Sequence, residues 1–215
     1  MVQREQFLER PAIIATSNQL VLEGLAHRGA KSPPVLILPP PHFEGGGMDH
    51  VVGAEIAFAV WRSEHPSLRF NYRGVGASQG KVSANPDDLL SDALAAYTLA
   101  VENASGHAPL VVALFGSDAV AVQMSLQVKI AGLVLISPTL VMPSDCVQGF
   151  GVPAAVVMAS TEAQVAYAAW SDAASRGQFQ FEVIPDATRA YLRNLPQVAR
   201  VVIDLLHALR ANAPG

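Results

Sequence analysis

Beyond Pro33-Pro34 the chain alternates short, almost uninterrupted apolar runs with stretches of helical periodicity, and this alternation constrains its fold more than any other feature. Apolar runs of strand length fall at 35–38, 68–72, 110–115, 131–136, 154–159 and 179–184. Helical patterns lie between them, near 49–63, 87–102, 118–128, 162–175 and 190–210. Strands with no polar side must be covered on both faces. The pattern therefore predicts an α/β fold, a mostly parallel twisted sheet with helices on both faces.

Ahead of this unit, Ala12 to Thr16 and Leu20 to Ala26 are β-rich stretches joined through Ser17-Asn18, which reads as a hairpin at the sheet edge. Local signals support the helices. Asn85 can cap and Pro86 suits a first turn, with Leu90, Ala93, Leu94, Tyr97 and Val101 on one face. Leu195, Val198, Val202, Leu205 and Leu209 form a stripe on the last helix.

The 215 residues suit a single domain spanning 1–215, and 51% apolar against 15% charged residues argues for a large core rather than disorder. The longest apolar runs, 109–115 and 131–136, are far shorter than the roughly 20 residues a bilayer span needs, so no membrane partner is expected. Charges at the N-terminus leave no secretory leader, and a cytoplasmic location is expected. A net charge of −4 without a lysine/arginine run gives no footprint for nucleic acid. Cys146 stands alone, so neither a disulfide nor a cysteine metal cluster can form, and it reads as a passive thiol.

In a sheet of this kind ligands gather beyond the carboxyl ends of the strands. The first exit, Leu38-Pro-Pro-Pro-His-Phe-Glu-Gly-Gly-Gly-Met-Asp-His50, is a glycine-rich loop opening a helix, with Asp49 expected in its first turn. Glycine backbones at a helix N-terminus, here Gly45 and Gly46 beside Phe43, can bind an anion or oxyanion. The second, Arg69-Phe-Asn-Tyr-Arg-Gly-Val-Gly-Ala-Ser-Gln-Gly80, fails as a nucleotide fingerprint, because its last glycine spacing is wrong and no helix follows at once.

Together these segments resemble the small, lid-less α/β-hydrolases related to dienelactone hydrolase. That pattern has a Gly-Gly-x-Met-Asp loop followed by Arg-Phe-Asn-x-Arg-Gly-Val-Gly-x-Ser-x-Gly, and Asp92 matches in the next helix. The resemblance implies an α/β-hydrolase fold without a lid domain. It also implies a Ser-His-Asp esterase or related acyl hydrolase, with the serine on a strained turn after the strand at 110–115.

The chain departs from that pattern where the chemistry should be. In Val111-Val-Ala-Leu-Phe-Gly-Ser-Asp-Ala119, Leu114 and Asp118 take the two glycine places and Gly116 takes the nucleophile's. Glycine cannot form an acyl-enzyme, and the flanking residues predict a more ordinary turn. Glu162 takes the acid's place and Arg189 the histidine's, and a protonated arginine cannot act as a base. The histidines usual in the first loop are replaced by Pro39 and Pro41.

Three readings remain, one of them a structural subunit that pairs with an active paralogue. In the first, a degenerate α/β-hydrolase has lost triad catalysis and binds a small acyl, ester or carboxylate ligand, or a protein partner or second copy of itself. Phe43, Gly45, Gly46, Arg73, Gly116 and Arg189 are the candidate binding residues. In the second, an active hydrolase uses Ser117 as a displaced nucleophile, Glu162 as acid and a loop histidine, His42 or His50, as base. Arg73 fits a ligand clamp and a loop buttress equally, and Ser117 also reads as a plain helix N-cap. His27, His65, His107 and His207 lack metal-ligand spacing, and neither a metal nor a cofactor is implied.

Overall fold

The computed structural model describes residues 9–139, 151–162, 170, 171, 174 and 179–211. Cys146, most of the helix expected near 162–175 and most of the 137–153 connection lie outside the described residues. Eight strands form one sheet: β1 (Arg10–Ala15), β2 (Val21–His27), β3 (Val35–Leu38), β4 (Ser67–Phe70), β5 (Leu110–Leu114), β6 (Gly132–Ile136), β7 (Ala154–Ala159) and β8 (Gln180–Ile184). Their spatial order is β1-β2-β4-β3-β5-β6-β7-β8. The β1–β2 hairpin pairs antiparallel, Arg10 opposite Ala26 through Ala15 opposite Val21, and β2 pairs antiparallel with β4. All the other pairings are parallel.

Four helices are fully described: α1 (Val51–Arg62), α2 (Pro86–Asn103), α3 (Asp118–Gln127) and α4 (Leu195–Ala211). The central strands alternate between two cores, as the two-residue period of a strand requires. Leu36, Leu38, Val111 and Ala113 face α2 and α3, whereas Val35, Ile37, Val112 and Leu114 face α1 and α4. Strand order reverses about β3, which lies between β4 and β5. The exits of β3 and β5 therefore border the crevice where such sheets hold ligands.

Several boundaries differ from the sequence expectation. Helix α1 begins at Val51, because His50 is its N-cap and accepts the Val52 N–H at 3.3 Å. Asp49 thus lies before the helix rather than in its first turn. Helix α4 begins at Leu195, since Tyr191 holds a left-handed φ of 52° that a helix cannot continue through. Asn85 caps α2 as expected, accepting the Asp87 N–H at 3.1 Å. The buried face of α2, however, is Leu89, Asp92, Ala93, Ala96 and Ala100, not the Leu90–Val101 stripe. Alanines allow close approach to the sheet, while Leu90, Leu94 and Tyr97 pack at the flanks.

Asp92 belongs on that face because of Arg73. Its wholly buried carboxylate accepts the Arg73 backbone N–H at 2.9 Å, Nε at 3.1 Å and Nη2 at 2.8 Å. Arg73 also pairs with Asp88 and donates to the Asp88 carbonyl at 3.1 Å. The Arg73 guanidinium is therefore saturated by α2, and its expected role in binding gives way to fixing the β4 exit loop.

At the other end of the sheet His65 is buried, donating from Nδ1 to the Pro33 carbonyl at 2.8 Å, while its Nε2 has no partner. Burial lowers the pKa of His65, and also of His27 and His50, below the ordinary value.

Two outcomes follow. Removing a partner from a buried ion pair strands the other charge, so Asp92→Ala should cost about 3–5 kcal/mol in urea unfolding. Asp88→Ala, whose partly exposed carboxylate is screened, should cost under about 1 kcal/mol. Equal losses would contradict the assignment. Because the three histidines titrate lower in the folded state, the unfolded chain takes up protons first as pH falls. Stability should therefore decline from about pH 7 to pH 5, and His65→Leu should flatten that slope.

Candidate functional site

The turn leaving β5 is tight and strained. Phe115 has φ 37° and Gly116 φ 93°, two successive residues on the left-handed side, so the ordinary turn expected from Leu114 and Asp118 is not what forms. Such a conformation at a phenylalanine persists only where its surroundings enforce it. The ring lies 4.8 Å from His50 and 6.2 Å from Tyr191, with the Arg189 guanidinium 5.7 Å from its centroid. Leu114 fits because α1 carries a glycine opposite it; a β-carbon at Gly53 would come 3.1 Å from Leu114 Cδ1.

Ser117 begins α3, as the plain reading had it, but its hydroxyl makes no cap bond. It is fully buried, and Oγ donates to the Pro39 carbonyl at 2.5 Å. With that proton committed, Tyr72 must donate its phenol hydrogen to Oγ, at 3.1 Å. Burial pushes the Tyr72 pKa upward, which keeps this proton in place. The hydroxyl expected to act as a displaced nucleophile is instead a link between the exits of β3 and β5. The Ser117 N–H donates back to Leu114 O at 3.1 Å, so it too is engaged within the turn.

His42 and Phe43 are exposed on a single 3-10 turn, His42–Glu44, and no histidine is hydrogen-bonded to Ser117. Gly45 donates its N–H to His42 O at 2.9 Å and Gly46 to Pro41 O at 3.3 Å. These two amides are spent on the loop's own turns, which corrects the expectation that they offer an anion site. His50, the alternative base, has Nδ1 occupied as the α1 cap.

The residues that do converge are Glu162, Arg189 and Glu44. Arg189 Nε lies 3.5 Å from Glu162 Oε1, and Nη2 lies 3.5 Å from Glu44 Oε2. Glu162 and Arg189 thus meet as an ion pair. Glu162 also accepts a hydrogen bond from Ser137, whose Oγ is 2.8 Å from the Tyr191 hydroxyl. Its partners among the described residues are thus Ser137 and Arg189 rather than a histidine. Burial, the larger cause, together with the nearby Glu162 charge pushes the Tyr191 pKa upward despite its bond to Ser137.

Glu44 lies over Gly116: a β-carbon there would be 3.1 Å from Glu44 Cγ and 3.7 Å from Pro41 Cδ. The space a nucleophile's side chain would enter is occupied by the stem of this glutamate. Sequence reading missed Glu44, Ser137 and Tyr191. Glu44 had a signal, being the acidic residue of a glycine-rich exit loop, whereas Ser137 and Tyr191 become visible only once β6 and the 185–194 turns are placed side by side. Among the described residues no group of three or more His, Cys, Asp or Glu side chains could hold a metal.

No family model and no curated protein sequence matches the chain. Solved structures do. An α/β serine hydrolase homologue from Coxiella burnetii superposes with a TM-score of 0.75 at 20% identity, covering 92% of this chain and 97% of that one. A lid-less α/β serine hydrolase from Xanthomonas campestris gives 0.72 at 18% identity, with 97% of each chain covered. A dienelactone hydrolase from Anabaena variabilis gives 0.73 at 12% identity, covering 93% and 96%. With an eight-stranded, mostly parallel sheet that superposes over nearly the whole chain on these structures, the chain has the α/β-hydrolase fold.

Proposed function

We propose that this protein is a non-catalytic α/β-hydrolase scaffold whose crevice binds a small ligand. The observation that carries the reading is the ion-pair chain Glu162–Arg189–Glu44, whose Glu44 stem lies over Gly116. Acyl transfer needs a nucleophile, a base that can take its proton and donors aimed at the developing oxyanion. At the corresponding places stand a glycine, a permanently protonated guanidinium, and a Ser117 amide already bonded to Leu114 O. The nearest hydroxyl, Ser117, is buried and gives its proton to a carbonyl rather than to a base.

The crevice keeps the features of a binding site. It lies at the strand-order reversal and is bordered by a cation and an aromatic ring, and one of its walls is a loop with three successive glycines, Gly45 to Gly47. The fold by itself does not assign a reaction; the side chains at these places argue for recognition.

The test is hydrolysis of short-chain p-nitrophenyl esters by the wild type beside Ser117→Ala, with a fluorophosphonate probe on both. Both proteins should hydrolyse the esters no faster than buffer, and Ser117 should remain unlabelled. Turnover that disappears in Ser117→Ala would instead establish a hydrolase with a displaced nucleophile.

A further inference from the structure

Arg69, Arg73 and Arg189, near the exits of β4 and β8, are held very differently. Arg69 makes two contacts of 2.7 Å to Glu9, and Arg73 is held at 2.8–3.1 Å by Asp92. Both are buried. Arg189 is 44% exposed at its side chain and meets its two carboxylates at 3.5 Å each. A charge-assisted guanidinium–carboxylate bond closes to about 2.7–2.9 Å and is often bidentate. Among the described residues, Arg189 therefore keeps most of its donor capacity unused, and it does so inside the crevice.

The geometry points to Arg189 as the recognition group for a small monocarboxylate with an apolar body, and to Glu44 as an internal carboxylate that the ligand displaces. The inference rests on the reading of the crevice as a binding site. Charge selects the ligand class. One guanidinium already faces two carboxylates, so a singly charged carboxylate can replace Glu44 without adding to the negative excess. A dianion such as phosphate would add to it.

Glu44 is the partner built to leave. Glu162 is tied to Ser137 as well as to Arg189, whereas Glu44 sits on a one-turn 3-10 helix closed by Gly45 at φ 73° with open space around it. Its departure would clear the volume above Gly116. The apolar body of the ligand is suggested by the surroundings. The guanidinium lies over the Phe115 ring, which in turn packs near the His50 and Tyr191 rings.

The experiment is calorimetric titration of the full chain with benzoate and hexanoate, using inorganic phosphate and methyl benzoate as comparators. Wild type, Glu44→Gln and Arg189→Gln are compared, and each is checked by thermal melting. Both carboxylates should bind the wild type, and methyl benzoate and phosphate should not. An exposed ion pair is worth about 0.2–1 kcal/mol, so removing the internal competitor should tighten binding up to about fivefold in Glu44→Gln. Arg189→Gln should melt like the wild type and lose the carboxylates.

Carboxylate binding that survives in Arg189→Gln, equal binding of methyl benzoate or phosphate, or no binding even to Glu44→Gln would each overturn the inference. Hydrolysis of methyl benzoate in the same samples is the separate readout. Turnover would overturn the non-catalytic reading, whereas absent binding without turnover would overturn only the carboxylate site.

Discussion

Everything at the carboxyl end of the sheet depends on the buried pair between Arg73 and Asp92, because it fixes where the β4 exit meets α2. Its neighbours extend the same anchoring in other directions. Arg69 reaches the Met48 carbonyl, and Asn71 Oδ1 accepts the Met48 N–H at 2.7 Å, which pins the loop after β3. Tyr72 reaches Ser117 and through it Pro39, tying the exit of β5 to that of β3. Ser78 donates to Asn71 O at 2.8 Å and accepts the Glu23 N–H at 3.1 Å, closing the loop onto β2. In water these polar groups would be solvated; buried, they must find partners within the protein, and the partners they find define the crevice.

This is where the resemblance of the sequence to a family of hydrolases comes from. The recognisable motif, residues 69–80, is a set of structural hydrogen bonds and touches no reacting position. Its retention preserves the crevice whatever the residues at 116 and 189 do. A motif of this kind is evidence for the scaffold, and the chemistry has to be read at other positions.

The fold was legible because fully buried parallel strands write themselves as continuous apolar runs, and β3 and β7 match their expected spans to the residue. Boundaries shifted where a local polar group or a backbone angle decided the matter: His50 as a cap, and Tyr191 in the left-handed region. The face of α2 was misjudged because a periodicity argument gives weight to large apolar residues, whereas the buried carboxylate of Asp92 and three alanines set the actual orientation. At the site, Glu162 and Arg189 lie within ion-pair distance. The register gave no access to Glu44, which approaches from a loop 145 residues away in sequence.

The departures from the hydrolase pattern are also compensated one by one. Leu114 at a glycine place is accommodated by Gly53 on α1. Arg189 at a histidine place brings a permanent charge, and Glu44 joins Glu162 in balancing it. Glu44 can lie there because residue 116 has no β-carbon. Among the described residues, the one buried side-chain polar atom without a partner is His65 Nε2, at the far end of the sheet. A site decaying without constraint would leave cavities and stranded charges, each costing on the order of 1–3 kcal/mol. Here Gly53 instead interlocks with Leu114, and Gly116 with Glu44 and through it Arg189, so the missing side chain at 116 and the arginine at 189 are parts of one arrangement.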